Sequence, residues 1–294
     1  MPPASKRSAY FAWVAVCLLW GTTYLAIRVA IETIPPLLMA GFRWTTAGAI
    51  ILAALKIRGQ AIPPRSHWPA MTVLGVLLIG LGNGCVVWAE QTLPSGLTAV
   101  LVASVPFWMV GVERFMAESD RLRPRRVLGL LVGFGGIVLL VWPELALGNG
   151  RAFFYGVLAT QMACVGWAIG SSYARRRHAD ENVLAAAALQ MLFGGLILGL
   201  AGLARGELRM LSFSNRSTTA LVYLIAAGSL GGFSAYAYAL KYLPVATVSL
   251  YAYVNPVIAV LLGTLILGEA LSPRLAVAGG IVLLGMALVR DTGH

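Results

Sequence analysis

Residues 89–106 are written a second time, in altered spelling, as residues 239–256. At a constant offset of about 150 positions, Gly82 meets Gly232, Ala89 meets Ala239, Leu93-Pro94 meets Leu243-Pro244, Pro106 meets Pro256 and Val110 meets Val260. The register extends beyond that stretch. Cys17, Trp20 and Arg28 recur as Cys164, Trp167 and Arg175, and Leu122-Arg-Pro-Arg125 recurs as Leu271-Ser-Pro-Arg274. A unit of half the chain is far longer than a solenoid repeat, so the constraint is a fold of two fused, homologous bundles.

Composition decides the medium those bundles sit in. With 59% apolar residues, 11% charged residues and 33 glycines in 294 positions, the chain lacks the polar surface that a water-soluble protein of this size presents. It reads as an all-α integral membrane protein whose surroundings are the lipid bilayer. The net charge of +11 does not point to nucleic acid, because arginines set between apolar spans face anionic headgroups and fix topology. Cys17, Cys85 and Cys164 are scattered through apolar runs, and His67, His178 and His294 fall in polar segments without ligand spacing. No disulfide framework, metal or cofactor is expected from such a set.

Lys6 and Arg7 precede an apolar run over 10–27 that is too long for a signal peptide and lacks an Ala-x-Ala site, so it reads as an uncleaved first helix. Pro35-Pro36 breaks the chain, and further spans are expected over 37–55, 68–89, 97–115 and 127–142. The second unit repeats the plan over 152–173, 183–203, 218–240, 247–267 and 275–289. These lengths suit helices crossing about 30 Å of hydrocarbon. The expectation is ten transmembrane helices in two fives, 8–143 and 151–290. Five is odd, so the second unit would lie inverted relative to the first. Most of the 22 basic residues then fall on one side, with Lys6, Arg7, Lys56, Arg58, Arg125, Arg175 and Lys241, which places both termini in the cytoplasm.

The paired five-helix units, the first-helix segment Cys17-Leu-Leu-Trp20-Gly21, the Leu-Pro turns before the fourth and ninth helices, the prolines within them and the exit Leu267-Gly268-Glu269 with Pro273 resemble the drug/metabolite transporter superfamily, EamA type. Within it the chain looks most like the YddG-type exporters of aromatic and other neutral amino acids. The resemblance implies a bacterial inner-membrane transporter. It also implies a central cavity lined by helices one to four and six to nine, with the fifth and tenth peripheral.

The residues say what such a cavity would hold. Trp13, Cys17, Trp20, Tyr24 and Arg28 form one helical stripe, and Gln161, Cys164, Trp167 and Ser171 form its counterpart. The third helix presents Asn83, Val87, Glu90 and Gln91 beside Trp88, the eighth Phe233, Tyr236, Tyr238 and Leu240, and the ninth Tyr251, Tyr253 and Asn255. Polar side chains in mid-membrane are costly unless they face protein or water, so they point inward. Trp20, Tyr24, Asn83, Trp88, Gln161, Trp167, Tyr236, Tyr253 and Asn255 are the candidate substrate-binding residues. The tryptophans equally suit interhelix packing, and the amides equally suit hydrogen bonds between helices. Pro106 and Pro256 are candidate hinges.

Arg28, Glu32, Arg43 and Glu90 collect at the outer ends of spans. They either pair with one another, or Arg43 and Glu90 serve the carboxylate and ammonium of an amino acid. No acidic residue falls in the middle of a span, which disfavours a polycation pump and an embedded proton carrier. An aromatic, weakly polar chamber suits a small neutral solute with an apolar side chain, exported by alternating access. The alternatives are a nucleotide-sugar or phosphorylated-metabolite carrier, which calls for several deep Lys or Arg, and a drug exporter of the same superfamily. A membrane-embedded enzyme lacks a clustered nucleophile and base, and solute uptake separates a carrier from a receptor. The sequence leaves oligomeric state open.

Overall fold

The computed structural model describes residues 6–116, 124–146, 150–177 and 182–289, which form helices and their connecting turns without a strand. The first unit comprises α1 (Lys6–Ala30), α2 (Pro36–Ile57), α3 (Arg65–Ala89), α4 (Ser95–Phe115) and α5 (Pro124–Ala146). The second comprises α6 (Gly150–Arg177), α7 (Val183–Ala204), α8 (Asn215–Tyr242), α9 (Tyr251–Leu267, after a lead-in turn at Val245–Val248) and α10 (Pro273–Val289). Seven of these helices, α1 to α4 and α6 to α8, are long and apolar enough to cross a membrane. The remaining three carry the shorter apolar segments Val127–Leu139, Val254–Leu267 and Pro273–Gly285. Glu118, Arg121, Arg123, His178 and His294 lie outside the described residues.

Helix starts are capped across the two units. An α-helix begins with backbone N–H groups that have no internal partner and with the positive end of its dipole, so a carboxylate there is stabilising. The carboxylate of Glu207, after α7, accepts from the N–H of Leu37 (3.4 Å) and Leu38 (2.9 Å) at the start of α2. That of Glu269, after α9, accepts from the N–H of Ser95 (2.9 Å), its hydroxyl (2.8 Å) and the N–H of Gly96 (3.1 Å) at the start of α4. Asn182 caps α7, accepting from Leu184 (3.1 Å) and Ala185 (3.3 Å), and donates its amide to Gln60 Oε1, after α2, at 3.1 Å.

Helix ends are tied in matching fashion. Arg28 on α1 donates to the carbonyl of Glu90 at the end of α3. Its repeat counterpart Arg175 on α6 donates to the carbonyls of Leu240 (2.7 Å) and Leu243 (2.7 Å) at the end of α8. In both places an arginine Nη1 donates to carbonyl oxygen at a helix end that the helix leaves unpaired.

Small residues set the seams between the units. Along α2 and α7, Leu38 meets Gly202, Gly41 meets Gly199, Thr45 meets Gly195 and Gly48 meets Ala188 and Leu192, so the two helices run antiparallel. A Cβ on Gly41 would stand 2.7 Å from the Gly199 Cα. α5 and α10 are likewise antiparallel, with Gly133 against Gly285 and Gly136 against Val282.

Two features depart from simple helices. α3 winds as π-helix over Gly75–Leu81, and α8 does so over Leu224–Phe233. These wide turns occupy equivalent places in the repeat, and such turns gather at functional sites. α4 stops at Val102 and restarts at Val105. Pro106 therefore stands in the first turn of the restarted helix, where its missing N–H loses nothing. Pro256 instead stands inside α9, where it removes the donor that the Ala252 carbonyl would have met.

Candidate functional site

The midpoints of α1 and α6 bring Trp20 and Trp167 together, edge to face, with ring centroids 5.3 Å apart. Backbone without side chains makes the room. A Cβ on Gly232 would lie 2.4 Å from Trp20 Nε1, and one on Gly82, its repeat counterpart, would lie 2.6 Å from Trp167 Cε3. Trp20 Nε1 donates to the carbonyl of Gly228 at 3.0 Å, inside the π-helical part of α8. Tyr236 packs on Trp20 (5.0 Å) and Trp167 (5.2 Å), and Tyr251 packs on Trp20 (5.1 Å). Phe233 extends the cluster to Trp167 (6.3 Å) and to Trp44 of α2 (5.4 Å). The Tyr236 hydroxyl shares a 2.6 Å hydrogen bond with Ser171, so its polar tip is satisfied in an apolar place.

These rings stand between two cavities. One, of about 220 Å³, is walled by Leu78, Phe233, Tyr236, Leu240 and Gln190 and reaches the helix ends that carry Arg175, Arg176 and Lys241. The other, of about 60 Å³, forms an inner chamber between helices, lined by Trp20, Tyr24, Arg43, Trp44, Asn83, Trp167, Tyr251 and Asn255 among others. Phe233 and Tyr236 face the first, and Trp20 and Trp167 face the second.

The polar lining of the inner cavity is held by named partners. Asn83 Oδ1 accepts from Trp44 Nε1 at 2.7 Å. Asn255, with its amide nitrogen turned inward, donates to the carbonyls of Tyr251 (3.2 Å) and Cys17 (3.0 Å), which ties α9 to α1. Arg43 is 2% exposed. Its Nε donates to Ser229 Oγ at 2.8 Å, and its guanidinium carbon lies 4.5 Å from the centre of the Trp44 ring. Its Nη1 has no partner. Glu90 is fully buried at the end of α3, and neither carboxylate oxygen receives a hydrogen bond.

Of the residues singled out from sequence, Trp20, Tyr24, Asn83, Trp167, Asn255 and Arg43 line the inner cavity, and Tyr236 lines the outer wall of the ring cluster. Gln161 lines neither cavity; its Oε1 accepts from Ser104 and Trp108, both at 3.0 Å, and braces the break in α4. Trp88 is half-buried and lines neither cavity. Tyr253 is on α9, but its side chain falls outside the described residues. The ion pairing expected among Arg28, Glu32, Arg43 and Glu90 is not made. Glu32 pairs with Arg216 (3.2 Å), Arg28 turns to a carbonyl, and Arg43 turns to Ser229. Trp44 and Ser229 belong to the site without having been singled out. Trp44 sits in a helix whose apolar residues follow no marked period, and Ser229 sits in a π turn that has no signature in composition.

The EamA-like transporter family matches twice, over residues 7–142 and 154–290. The chain is 36% identical over 279 residues to the uncharacterized inner membrane transporter YedA of Escherichia coli strain K12, covering 95% of this chain and 89% of that one. It is 28% identical over 284 residues to protein PecM of Dickeya dadantii, covering 96% and 91%. One crystal structure superposes with a TM-score of 0.70 at 25% identity, over 96% of this chain and 97% of its own.

Proposed function

The chain belongs to the EamA-like transporter family, and from that premise we propose that it exports small neutral metabolites, foremost amino acids with aromatic or other apolar side chains, by alternating access. In this reading the ten helices all span the bilayer, as two fives of opposite orientation. The antiparallel seams α2/α7 and α5/α10, the matched π turns and the matched arginine clamps support the inversion. Arg175, Arg176 and Lys241 at the 220 Å³ cavity support reading it as a cytoplasmic vestibule, on the side of both termini.

The observation that carries the proposal is the aromatic cluster between the two cavities. In this reading a solute entering the vestibule meets Phe233 and Tyr236, and displacement of these rings would join the vestibule to the chamber lined by Trp20 and Trp167. At about 60 Å³, that chamber is below the roughly 300 Å³ at which ligand pockets begin. Rocking of one unit against the other would enlarge it on one side while closing it on the other. Aromatic walls suit an apolar side chain, and the amides of Asn83 and Asn255 leave the chamber weakly polar. A carrier of phosphorylated solutes would need several deep cations, and among the described residues lining the chamber Arg43 stands alone. Transport down a gradient is the simplest energetics.

The test is purified protein in liposomes loaded with labelled Phe, Met or Thr. Release faster than from loaded, protein-free vesicles, slowed in Trp20→Ala and Trp167→Ala, is the expected result. Release at the rate of protein-free vesicles for every amino acid removes this substrate class.

A further inference from the structure

The two units are alike at the rings and unlike at two positions. Leu240 and Gln190 wall the vestibule. Their repeat counterparts, at the opposite ends of α3 and α2, are Glu90 and Arg43. Neutral residues on one face thus correspond to an acid and a base on the other. Both are buried and no hydrogen bond joins them: the Glu90 oxygens and Arg43 Nη1 lack hydrogen-bond partners, while the two groups are close enough to attract each other through space. Ionisable side chains buried in a membrane protein with polar atoms left unpaired are costly, so atoms such as the Glu90 oxygens and Arg43 Nη1 point to a functional site.

We propose that Arg43 and Glu90 form a zwitterion-reading pair, in which Arg43 takes the carboxylate and Glu90 the ammonium of an amino acid. The pair faces water when the vestibule opens on the side away from Arg175. This rests on the alternating-access reading: exchange of roles between inverted units puts Glu90 and Arg43 where Leu240 and Gln190 now stand. Arg43 already lines the inner chamber with a free donor. Gly228 supports the assignment, since a Cβ there would lie 2.6 Å from Arg43 Nη2, so the guanidinium occupies space the backbone leaves open.

Two measurements test the pair and separate it from the reading beneath it. The first is labelling of Glu90→Cys by a membrane-impermeant thiol reagent added from the face opposite Arg175, scored as the increment over the unsubstituted chain. Labelling is expected, and its absence overturns the exposure of the pair. The second is inhibition of labelled phenylalanine counterflow in liposomes by phenylalanine, phenethylamine and 3-phenylpropionate. Arg43→Gln should weaken phenylalanine at least ~10-fold while moving phenethylamine, which has no carboxylate, less than ~2-fold. Glu90→Gln should do the same to phenylalanine and spare 3-phenylpropionate, which has no ammonium. Equal losses for all three compounds overturn the division of roles. If wild-type protein exchanges no phenylalanine, the amino-acid reading falls together with the zwitterion pair, whereas labelling at position 90 would still support alternation.

Discussion

A methyl group at position 232 would fall 2.4 Å from Trp20 Nε1 and 2.7 Å from its Cδ1, closer than two such atoms can stand. Gly232→Ala is therefore expected to push Trp20 off its seat and to strain the bond to the Gly228 carbonyl. The cost should be about 1–3 kcal/mol, as for other overpacked interiors, read as an earlier unfolding transition in detergent with slower transport. Gly111→Ala is the matched control. Its Cβ would meet nothing within 4 Å, so alanine should be neutral or stabilise the helix by about 0.5–1 kcal/mol. Equal behaviour of the two variants would dismiss the seat. At this scale much was legible, because Trp20 with Trp167 and Gly82 with Gly232 announce themselves as pairs. The task of Arg28 was not, since its partner is a backbone carbonyl and carbonyls leave no mark in a sequence.

Helices are joined here by caps lent from one unit to the other. Glu269→Gln places an amide where the N–H groups of Ser95 and Gly96 now find a carboxylate, and it removes the charge that meets the dipole of α4. A loss of about 1–2 kcal/mol is expected, measured as a shift in denaturant midpoint with helix content unchanged in the folded baseline. No shift would mean the contact is incidental. The apolar runs and prolines gave helix positions to within a few residues, as at Val183–Ala204 and Pro273–Val289. They did not give the π turns, because a wider winding uses the same apolar residues as an ordinary one. Tyr238, expected beside Tyr236 among the residues the eighth helix presents, packs on Tyr242 at 4.8 Å and lines neither cavity, because residues two apart on an α-helix do not share a face.

For the whole molecule, Thr33 and Ser217 join the two units at the end away from the vestibule, with their hydroxyls 2.6 Å apart. Thr33→Cys with Ser217→Cys should form a disulfide on oxidation, stop transport and release it on reduction; undiminished transport by the oxidised pair would show that this contact does not open. Tags before α1 and after Trp142 should report opposite compartments, and the same compartment for both would undo the inversion. Internal duplication made the all-helical, two-repeat plan readable, whereas the division into two cavities was not, because it depends on which rings meet in three dimensions. The borrowed caps carry a further implication for biosynthesis. The ribosome delivers Leu38 long before Glu207, and Ser95 long before Glu269, so the opening turns of α2 and α4 enter the membrane unfinished and are completed only when the tail end of the polypeptide emerges. A nascent chain halted at mid-length would then be a provisional bundle, prey to quality-control proteases until its second part arrives to secure it.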